Sequence, residues 1–272
     1  MAKVELNAIV EQRVEVASGL MILRVIPDGW ALPAFKAGQY TVLGLPGSAP
    51  RAPLTDAEDP APDPDKLIRR AYSVASSSVD DTYLEFYIAL VRSGALTPRL
   101  FALKPGDRLF LSQKVVGMFT FDKVPEGKNI LLIATGTGLA PYISMMRTHL
   151  GSVSGAKIAV VHGANHSWDL GYRSELATMQ RLSPVFKYVP IVSLPGVENV
   201  PWAGRTGFIN DFLASEEAPK DLGFTPSPAD THVFLCGNPL MIEAMLTFLA
   251  ERGFVEQTRK TPGQVHLEKF WK

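Results

Sequence analysis

NILLIATGTGLAPYISMM, residues 129–146, decides how the second half of this chain folds. Asn129–Thr135 is a near-continuous apolar run, which suits a strand covered on both faces. Gly136 and Gly138 follow in a tight turn, and a helical pattern then runs over Leu139–Leu150. A strand that passes through glycines straight into a helix is the building unit of a parallel α/β sheet. The rhythm repeats downstream. Strand Lys157–His162 precedes a helix over Asp169–Leu182. Strand Phe186–Val192 precedes a helix near Gly207–Leu213. Strand Thr231–Cys236 precedes a helix over Pro239–Arg252.

Upstream the period changes from helical to alternating. Residues 3–26 alternate apolar and polar around a Ser18-Gly19 break and read as two antiparallel strands. Gln39–Leu45, Ala71–Ala75, Tyr83–Leu90 and Arg108–Leu111 are further strands, with turns such as Lys104-Pro105-Gly106-Asp107 between them. A short helix fits Thr97–Leu103, with Pro98 in its first turn. Many short strands predict a small closed antiparallel β-barrel. The change of rhythm near Lys123–Gly127 divides the chain into a barrel over 1–124 and an α/β nucleotide-binding domain over 125–272. Pro46–Lys66, rich in proline and acids, reads as an irregular or mobile insertion that cannot support a core.

Composition excludes several classes. The chain has 272 residues, with 27 Lys+Arg against 27 Asp+Glu. That balance argues against a nucleic-acid partner, whose affinity rests on basic surface. The lone Cys236 forms no internal disulfide, no four-cysteine cluster and no cysteine-rich zinc site, and a reducing cytoplasmic setting is expected. No apolar run reaches the ~20 residues of a membrane span. His162 and His166 lie at a strand end and in a loop with no carboxylate beside them in sequence, so no metal site is expected.

Ligands of open parallel sheets lie beyond the carboxyl ends of the strands. Three such ends carry chemistry here. Gly136 and Gly138 allow backbone amides to approach an anion at a helix start. Cys236-Gly237-Asn238-Pro239 ends one strand and opens a helix, with Asn238 as cap and Pro239 as first helical residue. Arg205 lies beyond the third strand, where a ribose phosphate fits. In the barrel half, RRAYSVAS (69–76) gathers a cation, a phenol ring and hydroxyls. Arg70 suits a diphosphate, Tyr72 a flat ring, and Ser73 a ring nitrogen.

Together these motifs resemble the ferredoxin–NADP⁺ reductase family, in particular its bacterial ferredoxin/flavodoxin reductases. The likeness runs through KAGQYTVLGL (36–45), RAYS (70–73), LEFYIAL (84–90), GALTPRL (94–100), LKPGDRLFL (103–111), GMFTFD (117–122), ATGTGLAPYISMM (134–146), VHGANH (161–166) and FLCGNPLMI (234–242). The resemblance implies an FAD-binding barrel followed by an NADP(H)-binding parallel sheet. It implies that Arg70 holds the FAD diphosphate, Tyr72 stacks on the isoalloxazine and Ser73 sits near its N5, with Ala71 among the FAD-binding residues. It assigns Tyr87, Ile88, Ala89 and Leu90, with the Leu96-Thr97-Pro98 turn, to the ribityl and phosphate parts. The aromatic tail Phe270-Trp271 is expected to close on the FAD. Thr137 is expected where nicotinamide meets flavin, with Gly136, Gly138 and the Cys236–Pro239 turn around the nucleotide. Ser73, Cys236 and Glu268 are the implied catalytic residues, Glu268 matching a C-terminal acid that organises protons or the nicotinamide. Ala164, Asn165, Ser193, Leu194 and Arg205 fall on the ribose end.

The implied activity is hydride transfer between NADP(H) and flavin, with electrons passed to ferredoxin or flavodoxin. A monomer is expected, whose carrier docks transiently on cations such as Arg252, Arg259, Lys260, Lys269 and Lys272. Two positions depart from the family pattern. Leu194 and Asn165 stand where NADPH-preferring members carry arginine. An NADH-preferring reductase that feeds an oxygenase or free flavin, and a non-catalytic flavin-binding regulator, remain open alternatives.

Overall fold

The structure, a computed structural model, describes residues 5–152, 155–198 and 200–268. The chain forms two compact units. One comprises Met1–Thr120 with Ile143–Thr148, and the other Phe121–Tyr142 with His149–Lys272.

The first unit holds β1 (Ala8–Ala17), β2 (Leu20–Pro27), β3 (Tyr40–Pro46), β4 (Leu67–Ser73), β5 (Leu84–Ala89), helix α1 (Thr97–Ala102) and β6 (Arg108–Leu111). Every pairing is antiparallel, in the order β4-β3-β6-β1-β2-β5. The Ser18-Gly19 break is a hairpin, with Gly19 at φ 74°. The two edges meet just beyond β4. Ala75 N donates to Glu85 O at 2.7 Å, and Glu85 N donates to Ser76 Oγ at 3.2 Å, which makes the sheet barrel-like. Alternate side chains point inward, so Leu23, Leu43, Phe86 and Leu109 are fully buried. Each such side chain contributes roughly 1.5–3 kcal/mol.

β4 begins at Leu67 rather than Ala71. Its pairing with β3 runs from Leu67 opposite Pro46 to Ser73 opposite Tyr40. Past Ser73 the chain leaves β3 for β5, so the expected strand end belongs to the barrel closure instead.

The insertion at 46–66 is corrected more substantially. It is irregular, yet it is anchored. Arg99, 2% exposed, donates to Glu58 Oε1 at 2.7 Å and Oε2 at 2.8 Å, to Ala95 O at 2.6 Å and to Gly47 O at 2.6 Å. Arg51 reaches the same carboxylate at 2.8 Å, while Ala49 and Ala52 pack on the barrel core. Composition shows few apolar residues in this stretch. It does not show an arginine from α1 waiting to receive it.

The second unit holds β7 (Asn129–Thr135), the two ends of α2 (Ala140–His149), whose Ile143–Thr148 stretch is counted in the first unit, β8 (Ile158–Ala164), α3 (Arg173–Leu182), β9 (Phe186–Val192), β10 (Arg205–Thr206), α4 (Ile209–Ala214), α5 (Ala218–Leu222), β11 (Thr231–Cys236), α6 (Pro239–Ala250) and β12 (Val265–Glu268). All six strands are parallel, in the order β10-β9-β8-β7-β11-β12. One face, with Leu131, Ile133, Val161 and Leu235, packs against Phe212, Leu222, Ile242 and Met245 of α4, α5 and α6. α3 starts at Arg173, not Asp169. A single turn over Ser167–Asp169 is capped by His166 and stopped at Leu170, whose φ −86° and ψ 65° leave the helical region. The carboxylate thought absent near His166 is Asp169, 3.0 Å from its Nδ1, and it serves this cap.

Candidate functional site

The carboxyl end of β4 presents the expected donor set. Arg70 is exposed, and its Nη1 donates only to the carbonyl of Arg69 at 2.8 Å. No ion pair engages it among the described residues. Tyr72 is half-buried, edge-on to Phe86 at 6.5 Å between ring centroids, and burial pushes its phenol up from the ordinary value. Ser73 is buried at the strand end. Ala71 is exposed beside Arg70, and so is Ala89 at the end of β5. Tyr87, Ile88, Leu96 and Pro98 are buried, and Leu90 N is tied to Gly19 O at 2.8 Å. Thr97 Oγ1 accepts from Val91 N at 3.0 Å and donates to its carbonyl at 3.1 Å, so that hydroxyl shapes its own turn. A cation without an ion pair among the described residues, a ring and a buried hydroxyl within four strand positions fit a flat ligand with a diphosphate.

In the second unit, the ends of β7 and β11 are built against each other. Thr135 Oγ1 accepts from Asn238 N at 2.8 Å. A Cβ on Gly138 would collide with the Cys236 carbonyl, and one on Gly237, at φ 136°, would collide with Thr135. Gly136, at φ 53°, would carry its Cβ into open space. The first two glycines are there for packing, and the third leaves room above the turn. Half-buried Thr137 lies between them. Asn238 caps α6 as expected, its Oδ1 accepting from Leu240 N at 2.8 Å, with exposed Pro239 next. Parallel pairing sets Glu268 opposite Cys236, and Sγ donates to Glu268 Oε2 at 3.9 Å. Burial, then the nearby Glu268 charge, pushes the thiol well above its usual pKa. Cys236 therefore remains a neutral thiol. Beneath Gly136, fully buried His162 is pushed down to about 4 by burial, the Gly136 backbone acting in the opposite direction.

The ends of β8, β9 and β10 are laced together. Ser193 N donates to Ala164 O at 3.0 Å, Leu194 N to Asn165 O at 2.9 Å, and Ser193 Oγ to Asn165 Oδ1 at 3.2 Å. Arg205 stands on β10 opposite Ile191 and lines a cavity of about 570 Å³. Its guanidinium is taken. Nη1 donates to Glu217 Oε2 at 2.6 Å and Nε to Asp221.

A model of the oxidoreductase NAD-binding domain matches residues 132–247. The flavodoxin/ferredoxin–NADP reductase of Escherichia coli (strain K12) is 32% identical over 238 residues, covering 87% of this chain and 88% of that protein. The chain belongs to the flavodoxin/ferredoxin–NADP reductase family. The ferredoxin–NADP reductase of Pseudomonas aeruginosa is another relative in this family, 30% identical over 243 residues and 86% of both chains. Among solved structures, a ferredoxin NADP⁺ reductase from Neisseria gonorrhoeae with bound FAD and NADP matches with a TM-score of 0.79. It is 23% identical and covers 97% of this chain and 98% of its own. A cytochrome P450 reductase from Amycolatopsis matches with a TM-score of 0.73 at 29% identity, over 97% of this chain and 69% of that one. The family resemblance and the two-part fold read from the sequence are thus both confirmed.

Phe270 and Trp271 lie outside the described residues, as do Lys269 and Lys272. Sequence reasoning missed Thr135, Glu217 and Asp221. The doubled threonine in IATGTG was a signal for the first. Nothing in sequence links the two acids to Arg205, since they lie 12 and 16 residues beyond it.

Proposed function

We propose that this chain is an FAD-dependent reductase that moves electrons between NADP(H) and a one-electron carrier of the ferredoxin or flavodoxin type. The first unit takes the flavin and the second the nicotinamide nucleotide, corresponding to domains over 1–124 and 125–272. The observation that carries the reading is the second half of β4, where an exposed Arg70 with no ion pair among the described residues precedes a half-buried ring and a buried hydroxyl. When bound, FAD supplies the step from hydride chemistry to single electrons.

The chain's own groups do the rest. Arg70 neutralises the diphosphate with charge-assisted bonds. Tyr72 offers its ring face, and its raised pKa keeps the phenol neutral at any working pH. Ser73 offers a hydroxyl from a site shielded from water. The open turn at Gly136, with the α2 start behind it, receives phosphate oxygens. Neutral Cys236 is a small polarisable lining, and Glu268 at its side holds or releases a proton. Buried neutral groups exclude water and leave orientation as the main contribution to rate. The carrier docks transiently on exposed cations such as Arg259 and Lys260, and the protein acts as a monomer in the cytoplasm. Electron transfer to an acidic carrier therefore slows as salt screens the encounter.

The test is anaerobic stopped-flow at the flavin absorbance near ~450 nm, with NADPH and then a carrier protein added. Bleaching by NADPH followed by reoxidation by the carrier is the expected sequence. A bound flavin that neither step touches would leave a flavin-binding module in place of an enzyme.

A further inference from the structure

We propose that Glu217 and Asp221 set the nucleotide preference of this chain by occupying Arg205, so that a 2′-phosphate gains little there and NADH is accepted nearly as well as NADPH. The proposal rests on the reading that the carboxyl end of this sheet takes a nicotinamide dinucleotide.

The placement of Arg205 leaves it little freedom. Its backbone is held in the sheet by β9 and by Trp202 Nε1, which donates to Arg205 O at 2.8 Å. Its guanidinium carbon lies 4.9 Å from the centroid of the Phe212 ring. Its edge is then filled by Glu217 and Asp221. Two carboxylates against one cation leave this cluster with a net negative charge, and Asp211 lines the same cavity with Gly204, Thr206 and Ser215. A 2′-phosphate brings between one and a half and two further negative charges. It must displace a carboxylate that already makes a charge-assisted bond, so binding exchanges one such bond for another. A ribose 2′-hydroxyl meets no such conflict, because it donates a hydrogen bond to a carboxylate directly.

Among the described residues, the neighbouring strand ends supply no replacement. Ser193 and Asn165 bond to each other, and Leu194 is 51% exposed. Glu198 is committed to Ser167, accepting from its N and its Oγ at 2.6 Å each. The nearby cation is Arg173, whose guanidinium carbon lies 4.6 Å from the centroid of the Trp202 ring. Stacking of this kind leaves Arg173 as a partner for an aromatic face.

The experiment is equilibrium binding of adenosine 2′,5′-bisphosphate and adenosine 5′-monophosphate to the FAD-loaded protein by titration calorimetry. Wild type is expected to bind the two within about tenfold of each other. Glu217→Gln, and Glu217→Gln with Asp221→Asn, are expected to tighten the bisphosphate by about tenfold or more and to leave the monophosphate where it was. Adding Arg205→Leu is expected to abolish that gain. Glu217 is largely exposed, so the single variant keeps the fold. The proposal is overturned by a wild type that already favours the bisphosphate by about a hundredfold with no response to either acid variant. It is overturned equally by a gain that survives Arg205→Leu, or by no binding of either probe. Because the readout is binding, it remains informative if neither NADPH nor NADH bleaches the flavin. That result would remove the electron-transfer function and leave this assignment standing.

Discussion

Two arginines on two strands show how much a residue's meaning depends on its partners. Arg70 stands in the middle of β4 opposite Leu43, and Arg205 opens β10 opposite Ile191. Arg70 is exposed and carries no ion pair among the described residues, whereas Arg205 is bound to two acids. Replacing Arg70 by Met is therefore expected to leave the unfolding free energy from urea titration within about 0.5 kcal/mol of wild type, as for an exposed residue with no ion pair among the described residues. The purified variant is expected to lose most of its flavin, read from the ratio of absorbance at the flavin band to that of the protein. Retained flavin would remove Arg70 from the diphosphate. Gly138 makes the opposite prediction. Gly138→Ala would drive a methyl into the Cys236 carbonyl, backbone that cannot swing aside, and is expected to lower stability by about 2 kcal/mol or more and to weaken NADPH binding. Urea unfolding and nucleotide titration of the same sample check both effects. R-x-Y-S and the glycine turn were legible because all their parts are local. The acids on Arg205 were not, because α4 and α5 bring them in from further along the chain.

At the scale of elements, the anchored insertion carries the clearest prediction. Arg99 is almost wholly buried, and Glu58 is the carboxylate that compensates it. Removing one partner of a buried pair leaves an uncompensated charge, so Glu58→Ala is expected to destabilise by about 3 kcal/mol. Limited proteolysis is expected to cut between residues 51 and 66 sooner in the variant. A cleavage rate equal to wild type would mean the segment is held by something else. Most strands and helices were readable from period alone, with Asn129–Thr135, Phe186–Val192 and Thr231–Cys236 matching residue for residue. β10 and β12 were not readable. Two and four residues are too few to show alternation, and a partner strand rather than local preference makes them extended.

For the whole molecule, buried histidines set a direction for stability with pH. Burial holds His162 at about 4, and burial together with His232 and Lys123 holds His266 at about 4. An unfolded chain titrates these rings near ~6.5. Above that value neither state binds the protons, and stability is complete. Between the two values the unfolded state takes up protons that the folded state refuses. Each ring then removes about 1.4 kcal/mol per pH unit, and the loss levels off below the folded value. Urea unfolding at several pH values between 7.5 and 4.5 is expected to show this decline, and His162→Gln is expected to make it shallower. An unchanged slope in that variant would mean His162 is protonated in the fold. The alternation of strand and helix announced the parallel sheet. The many short strands announced a closed first sheet too, but not the residues that close it, because Ala75 and Glu85 meet across the barrel.

The strand order has a consequence for how the second unit forms. β7, β8 and β9 are neighbours in sequence as well as in the sheet, so they assemble through short crossovers. β11 pairs with β7 in register from Thr231 opposite Asn129, about a hundred residues apart. Closing a loop of that length is slow compared with the local crossovers. During that interval the open edge of β7, an apolar strand, is available to other chains. Refolding yield should therefore fall with protein concentration before native sheet is complete, and a delay between helix formation and burial at β11 is the signature to look for.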